Sequence, residues 1–217
     1  MHGIYYYNSP IKIHGIPFFN KAVQFERLPE HLREKYPHLQ KLGRRCAGAR
    51  LRFMTNSKNL NIKFSIEKAE VDIGIPIWGS AGIDVFSDSD FVGHAYPKAY
   101  SDTYTEIEGS FTLDGKNHDI TVFFPRNEVV YDIYVGIDDE ADIREASPYT
   151  YSKPILFYGS SITEGGCCSK PSNAHTAFIS RWLDCDYYNM GFSGSAWGEE
   201  DICDYLNTIE KSVFIME

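Results

Sequence analysis

Basic clusters, long apolar runs and evenly paired cysteines are all scarce in this 217-residue chain, and each scarcity narrows what the protein does. Lys and Arg number 21 against 30 Asp and Glu, a formal net charge of -9, and only Gly43-Arg44-Arg45 gathers positive charge. A phosphate backbone needs a basic face to displace its counterions, so no nucleic acid partner is expected. No apolar run approaches the roughly 20 residues of a membrane span, so no membrane partner is expected either. The opening MHGIYYYNSPIKIHG lacks a basic start followed by an uninterrupted apolar segment. No signal peptide is visible, and the cytoplasm is the expected location, although a mature form without its leader would read the same way. The five cysteines, Cys46, Cys167, Cys168, Cys185 and Cys203, are odd in number and lack metal-ligand spacing. They read as free thiols in a reducing compartment, with no metal or other cofactor implied.

What is plentiful is core material. At 43% hydrophobic and 15% aromatic residues, the chain can bury one large domain or two small ones. From residue 47 to about 137 the strong segments are short and alternating. ARLRFMT places Leu51 and Phe53 on one face, and LNIKFSI places Leu60, Ile62, Phe64 and Ile66 on one face. HDITVFF keeps the same rhythm. Period two predicts strands with one wet face. TNSKN at 55–59, SDSD at 87–90 and LDGKNH at 113–118 separate them, the last with an Asp-Gly that favours a hairpin. An antiparallel sandwich over 1–150 is the expected N-terminal domain, interrupted only by LPEHLREKYPHLQKL at 28–42, which has a helical or looped look.

After REASPYTYSKP the pattern changes to strand, helix, strand, helix, strand. PILFYGSS is a near-continuous apolar strand, and NAHTAFISRWLD has helical spacing at Ala174, Ala177, Phe178 and Leu183. CDYYNMGFSG is a second strand, GEEDICDYLNTIE an amphipathic helix carrying Ile202, Tyr205, Leu206 and Ile209, and KSVFIME a third strand. Buried parallel strands with helical crossovers are predicted for 151–217. No repeat or low-complexity segment is present.

Ligands collect at the carboxyl ends of such strands, and Ser161 stands there. A serine hydroxyl becomes a nucleophile only beside a base and N–H donors that stabilise an oxyanion. Gly194, in NMGFSGS at the next strand end, is the candidate for close backbone approach and for one donor; the N–H of Ser161 itself is the other. Local chemistry equally allows Gly159-Ser160-Ser161 to be a helix cap and Ser193-Gly194-Ser195 a turn. The stretch is not a nucleophile elbow, because Thr163 stands where that motif has its second glycine.

YGSSITEGGCCSKP resembles the first block of the GDSL, or SGNH, hydrolases, and NMGFSG at 189–194 resembles their second. The likeness is to a two-domain branch in which the hydrolase domain follows a β-sandwich carrying Gly-x-Asp-Leu-Tyr. GIDVF at 82–86 is similar to that motif, with Val85 and Phe86 substituted, and RLP at 27–29 and CAGARLRFMTNS at 46–57 also fit. The resemblance implies a jelly-roll-like sandwich followed by the first part of a flavodoxin-like three-layer α/β/α domain. It implies Ser161 as nucleophile and Gly194 as oxyanion donor, with Ser160 in place of the usual Asp. The family's third block supplies an oxyanion Asn, and its last block an Asp-x-x-His. Neither occurs before Glu217, so the resemblance implies a truncated chain that is inactive by itself. The seven histidines all precede residue 176; His175 is expected to be a packed or solvated helix residue, and His94 and His118 to lie in sandwich loops.

The implied activity is a serine esterase acting on acyl esters, acetyl above all, of small molecules or glycans. The rival reading is a carbohydrate-binding or interaction sandwich without catalysis, to be judged by the exposure of Trp78 and nearby tyrosines. A third strand left uncovered exposes an edge and predicts either self-association into a homo-oligomer through 150–217 or a poorly ordered stub beside a stable sandwich.

Overall fold

The computed structural model describes residues 1–5, 10–17, 25–69, 74–99 and 103–217. Two antiparallel sheets come first. Strands β1 (His2–Tyr5), β4 (Asn59–Glu67), β7 (Tyr104–Thr112) and β9 (Val130–Ile137) form a four-stranded sheet in the order β1-β9-β4-β7. The second sheet runs β10 (Ile143–Arg144), β3 (Arg50–Thr55), β8 (His118–Phe123), β5 (Ile83–Ser87) and β6 (Asp90–Ala95), with β2 (Lys12–His14) also paired to β3. Both sheets bury one face in a single core. Leu60, Ile62, Phe64 and Ile66 from β4 meet Leu51 and Phe53 from β3 there, all fully buried. Each such side chain contributes about 1.5–3 kcal/mol through removal from water. The alternation read in the sequence is therefore the inner-face pattern of the two sheets.

Three expectations are corrected. First, the Asp114-Gly115 turn does not close a hairpin, since β7 pairs with β4 while β8 pairs with β3 and β5. Turn chemistry reverses the chain but does not choose the partner sheet. Second, the outer face of β3 is not wet: Arg50, 1% exposed, is ion-paired with Asp186 of the parallel portion, and Arg52, 7% exposed, lies against the Tyr149 ring. Third, His94 lies within β6 and His118 opens β8, so neither is a loop residue.

The C-terminal portion has three parallel strands, β11 (Tyr151–Gly159), β12 (Cys185–Gly191) and β13 (Val213–Met216), in the order β12-β11-β13. Successive residues of β11 face opposite sides. Ile155 and Phe157 pack with Ala177 of α4 (His175–Leu183), whereas Leu156 and Tyr158 pack with Ile202 and Leu206 of α5 (Glu200–Thr208). Burial on both sides explains why β11 reads as a continuous apolar run. Leu183, assigned by spacing to the buried face of its helix, is 47% exposed in the last turn of α4.

The segment at 28–42 is α1 (Glu30–Lys35) followed by tight turns at Pro37–Leu39 and Leu42–Arg44. It does not join the sandwich core. Leu28, Leu32 and Leu39 share a cluster with α5 and the strands beneath it, so the N-terminal segment completes the packing of the C-terminal portion. Among the described residues there are also α2 (Ile77–Ser80) in the sandwich, α3 (Ser161–Glu164) after β11 and a tight helical turn at Pro171–Asn173. No helix among the described residues is long and apolar enough to cross a membrane.

Candidate active site

The pairing of β11 with β12 puts Gly159 opposite Gly191, so the two loops that follow leave the same edge of the sheet. Phe192 N–H donates to the Gly159 carbonyl at 2.8 Å, which keeps them together past the last strand pair. Ser161 is the first residue of α3 and is exposed, and Gly194 is exposed in the neighbouring turn. The structure thus brings the two loops carrying Ser161 and Gly194 side by side. Gly194 has φ +66° with nothing within 4 Å of the space a Cβ would occupy. Its glycine is needed for backbone conformation, not for the close approach expected of it. The close approach is at Gly191, where a Cβ would sit 2.1 Å from the backbone nitrogen of Glu164.

Ser160 caps α3, its Oγ accepting from Ile162 N–H at 3.5 Å. So the capping reading holds for Ser160, one residue before the serine of interest. Glu217 clamps the same turn: its carboxylate accepts from Ser160 Oγ at 2.5 Å, Thr163 Oγ1 at 2.7 Å and Thr163 N–H at 3.0 Å. Hydrogen bonds from Ser160 and then Thr163 hold the Glu217 carboxyl below its ordinary value.

Behind the turn lies a buried ionic lock. Glu164 and Arg27 are fully buried and paired at 3.2 Å. Arg27 also donates to the carbonyls of Arg45, Asn189, Gly191 and Leu42 at 2.7–2.9 Å, so with Glu164 all five guanidinium hydrogens are matched. The other Glu164 oxygen accepts from Ser193 N–H at 3.2 Å and from Ser193 Oγ. Burial pulls Arg27 below its usual pKa, opposed chiefly by the Glu164 charge. One carboxylate therefore joins the helix of Ser161 to the turn of Gly194, and one arginine from the N-terminal segment fixes both to β12. Asn189 adds a third tie, donating from Nδ2 to Thr163 O at 2.8 Å and accepting from Gly191 N–H at 2.9 Å.

Beyond Gly194, Trp197 donates from Nε1 to the Gly194 carbonyl at 3.0 Å and stacks on His38 with centroids 3.9 Å apart. His38 is in turn 2.7 Å from Glu199. Among the described residues no histidine hydrogen-bonds to Ser161. His14, His38, His94 and His118 are paired with carboxylates, and His175 is an exposed residue of α4 with its ring against Phe157. No group of His, Cys, Asp and Glu among the described residues is arranged to hold a metal ion.

Sequence reasoning missed the roles of Arg27, Glu164 and Glu217, although the signal at Arg27 was present in RLP. Asp84 of GIDVF has a structural part as well. Fully buried, it accepts from His94 Nδ1 at 2.6 Å and from Ser172 N–H at 2.8 Å, tying the sandwich to the loop before α4.

Two antiparallel sheets followed by a parallel sheet with a serine at its strand end define the two-part architecture of a serine-hydrolase family. Residues 4–143 match the profile of the N-terminus of SGNH-hydrolase-type esterases, GxDLY, and residues 152–217 match the GDSL-like lipase/acylhydrolase family. The chain belongs to this family. No curated protein matches it. A putative GDSL-like lipase from Bacteroides ovatus is similar over 100% of the chain, with 22% identity and a TM-score of 0.86. A salicylyl-acyltransferase from a tetracycline biosynthetic pathway matches over 98% of the chain with 15% identity and a TM-score of 0.77. An acetyl xylan esterase from the rumen bacterium Butyrivibrio proteoclasticus matches over 89% with 11% identity and a TM-score of 0.54. The chain spans 64%, 60% and 49% of the lengths of these three proteins.

Proposed function

We propose that the chain is the substrate-facing part of a serine esterase in which Ser161 is the nucleophile. The carrying observation is that β11 and β12 end in register at Gly159 and Gly191, so that Ser161 and Gly194 share one edge. Ser161 Oγ attacks the ester carbonyl, and the N–H groups of Ser161 and Gly194 receive the oxyanion of the tetrahedral intermediate. The alcohol leaves, and water releases the acyl group. No base and no third oxyanion donor reaches Ser161 among the described residues, so we expect the 217-residue chain alone to turn over negligibly. Completion of the three strands gives a flavodoxin-like α/β/α layer order behind a jelly-roll-like sandwich.

Acetyl and other short acyl esters of carbohydrates are the proposed substrates, supported by the fold shared with an acetyl xylan esterase. No cofactor takes part in this reading. A reducing, cytoplasmic setting is proposed from the odd number of cysteines and their lack of metal-ligand spacing. Self-association through β13, whose four residues are 40–69% exposed, belongs to the same proposal. A second reading, a sugar-binding sandwich, is favoured by Trp78 and Tyr96, 45% and 42% exposed with ring centroids 6.0 Å apart.

The test is a chain to which the family's Asn and Asp-x-x-His blocks have been joined, treated with a p-nitrophenyl phosphonate and digested. A phosphonyl adduct on the peptide containing Ser161, blocked by acetylated xylan, is expected. An adduct elsewhere, or none in a chain that still hydrolyses esters, overturns the assignment.

A further inference from the structure

The outer face of the six-stranded sheet carries two cross-strand rows. Pairing places Arg52, Thr121 and Phe86 in one, and Arg50, Phe123 and Asp84 in the next. The second row is largely covered by the parallel portion, with Arg50 and Phe123 still lining the edge of the cleft described next: Arg50 is ion-paired with Asp186 and lies 4.1 Å over the Tyr187 ring, while Asp84 holds Ser172. The first row faces a cleft of about 550 Å³ between the sheet and the C-terminal half of α4, walled by Tyr149, Phe178 and Trp182. Its volume lies within the range of small-molecule sites.

Two guanidiniums in this cleft, those of Arg52 and Arg181, form no ion pair with a described residue, although the buried Asp84 carboxylate acts on Arg181 from nearby. Arg52, 7% exposed, lies 4.0 Å over the Tyr149 ring and forms no ion pair with a described residue. Arg181 sits 4.9 Å over Phe86 and 4.7 Å over Phe178, and its one hydrogen bond among the described residues is to the Ser172 carbonyl at 2.8 Å. Burial depresses its pKa, with Tyr187 and Asp84 opposing. A desolvated guanidinium with no carboxylate hydrogen-bonded to it gains strongly from an incoming anion, and its planar fork matches a carboxylate. The carboxylates lining the cleft are already engaged: Asp88 with His118 and Asp119 N–H, Asp119 with Ser147 N–H, and Asp184 with Thr150. Trp182 adds an indole that is 77% exposed. An open indole beside polar donors suits the apolar face of a sugar ring.

We propose that this cleft binds a carboxylated sugar, a hexuronate unit, with its carboxylate on Arg52 and Arg181, its hydroxyls facing Thr121 and its ring against Trp182. The site is separate from that of Ser161. Asp184 and Cys185 mark the entry to β12, whereas Ser161 follows the opposite end of the same sheet, a strand length of about 20 Å away at roughly 3.3 Å per residue. The inference does not rest on the esterase reading.

The experiment is a ¹H–¹⁵N NMR titration of the 217-residue chain with sodium glucuronate, glucose and sodium acetate in parallel. Glucuronate is expected to shift resonances of β3 and α4, binding at least about tenfold tighter than glucose or acetate because both the charged and the stacking contacts are made. Arg181→Gln and Trp182→Ala should each weaken glucuronate by about tenfold while leaving the dispersed resonances of the sandwich in place. Glucose binding as tightly as glucuronate would remove the role of the arginines. Acetate binding as tightly would remove the sugar. Absence of shifts at β3 and α4 would overturn the site altogether.

Discussion

The sandwich and the parallel portion solve burial differently. Every inward residue of β4 is fully buried between sheets contributed by the sandwich itself, whereas Val213–Met216 of β13 remain 40–69% exposed. The parallel portion instead borrows its packing. Leu28, Leu32 and Leu39 arrive from the N-terminal segment, Arg27 supplies the charge that neutralises Glu164, and Arg50 of the sandwich pairs with Asp186. A serine at a strand end is thus held in place by residues more than a hundred positions earlier in the chain.

The largest break in this comparison is Arg27→Ala, which leaves Glu164 buried without its cationic partner and removes a donor from the carbonyls of Arg45, Leu42, Asn189 and Gly191. Removing one member of a buried pair costs about 3–5 kcal/mol. Limited proteolysis should then cut within 151–217 while the sandwich fragment persists. Equal resistance of the two portions would show that the lock is dispensable. Gly191→Ala should cost about 1–3 kcal/mol, because the added methyl meets the Glu164 backbone and must push α3 away from β12. Urea denaturation gives the value, and an unchanged midpoint would mean that α3 moves freely.

Acid separates the two portions more gently. Glu217 has a folded pKa below its ordinary 4.5, so its clamp on α3 is complete above that pH and is lost as pH falls through the lower folded value. Asp138, which accepts from Lys58 and Asn59 N–H and from the Ser57 and Asn59 side chains in the sandwich, is lowered to about 2, with Asn59 as the main cause. Its contribution is complete above 3.8 and disappears only near pH 2. NMR titration from pH 6 downward should move Glu217, Ser160 and Thr163 resonances before those of Ser57–Asn59. The reverse order would contradict the clamp. The smallest effect expected is that of Leu183→Ala, within about 0.5 kcal/mol, since that side chain is largely exposed. A loss above 2 kcal/mol would restore it to the helix core.

The strands were legible because period-two alternation is local, and the apolar run of β11 announced burial on both faces. The positions of Ser161 and Gly194 at neighbouring strand ends followed from strand order and two short blocks. The lock behind them was not legible in local pattern, because Arg27 and Glu164 are 137 residues apart and each alone reads as a surface charge. Arg50 and Arg52 misled for the same reason: charge and alternation said solvent, but Asp186 and Tyr149, distant in sequence, take up those side chains. Leu183 misled because helical spacing does not reveal where the last turn leaves its neighbour.

The most direct measurement is the initial rate of p-nitrophenyl acetate hydrolysis by a chain extended through the Asn and Asp-x-x-His blocks, with and without Ser161→Ala. The substitution should lower kcat by roughly 10³-fold or more, because a triad nucleophile has no substitute. A rate that survives Ser161→Ala unchanged would contradict the account and remove Ser161 from the chemistry.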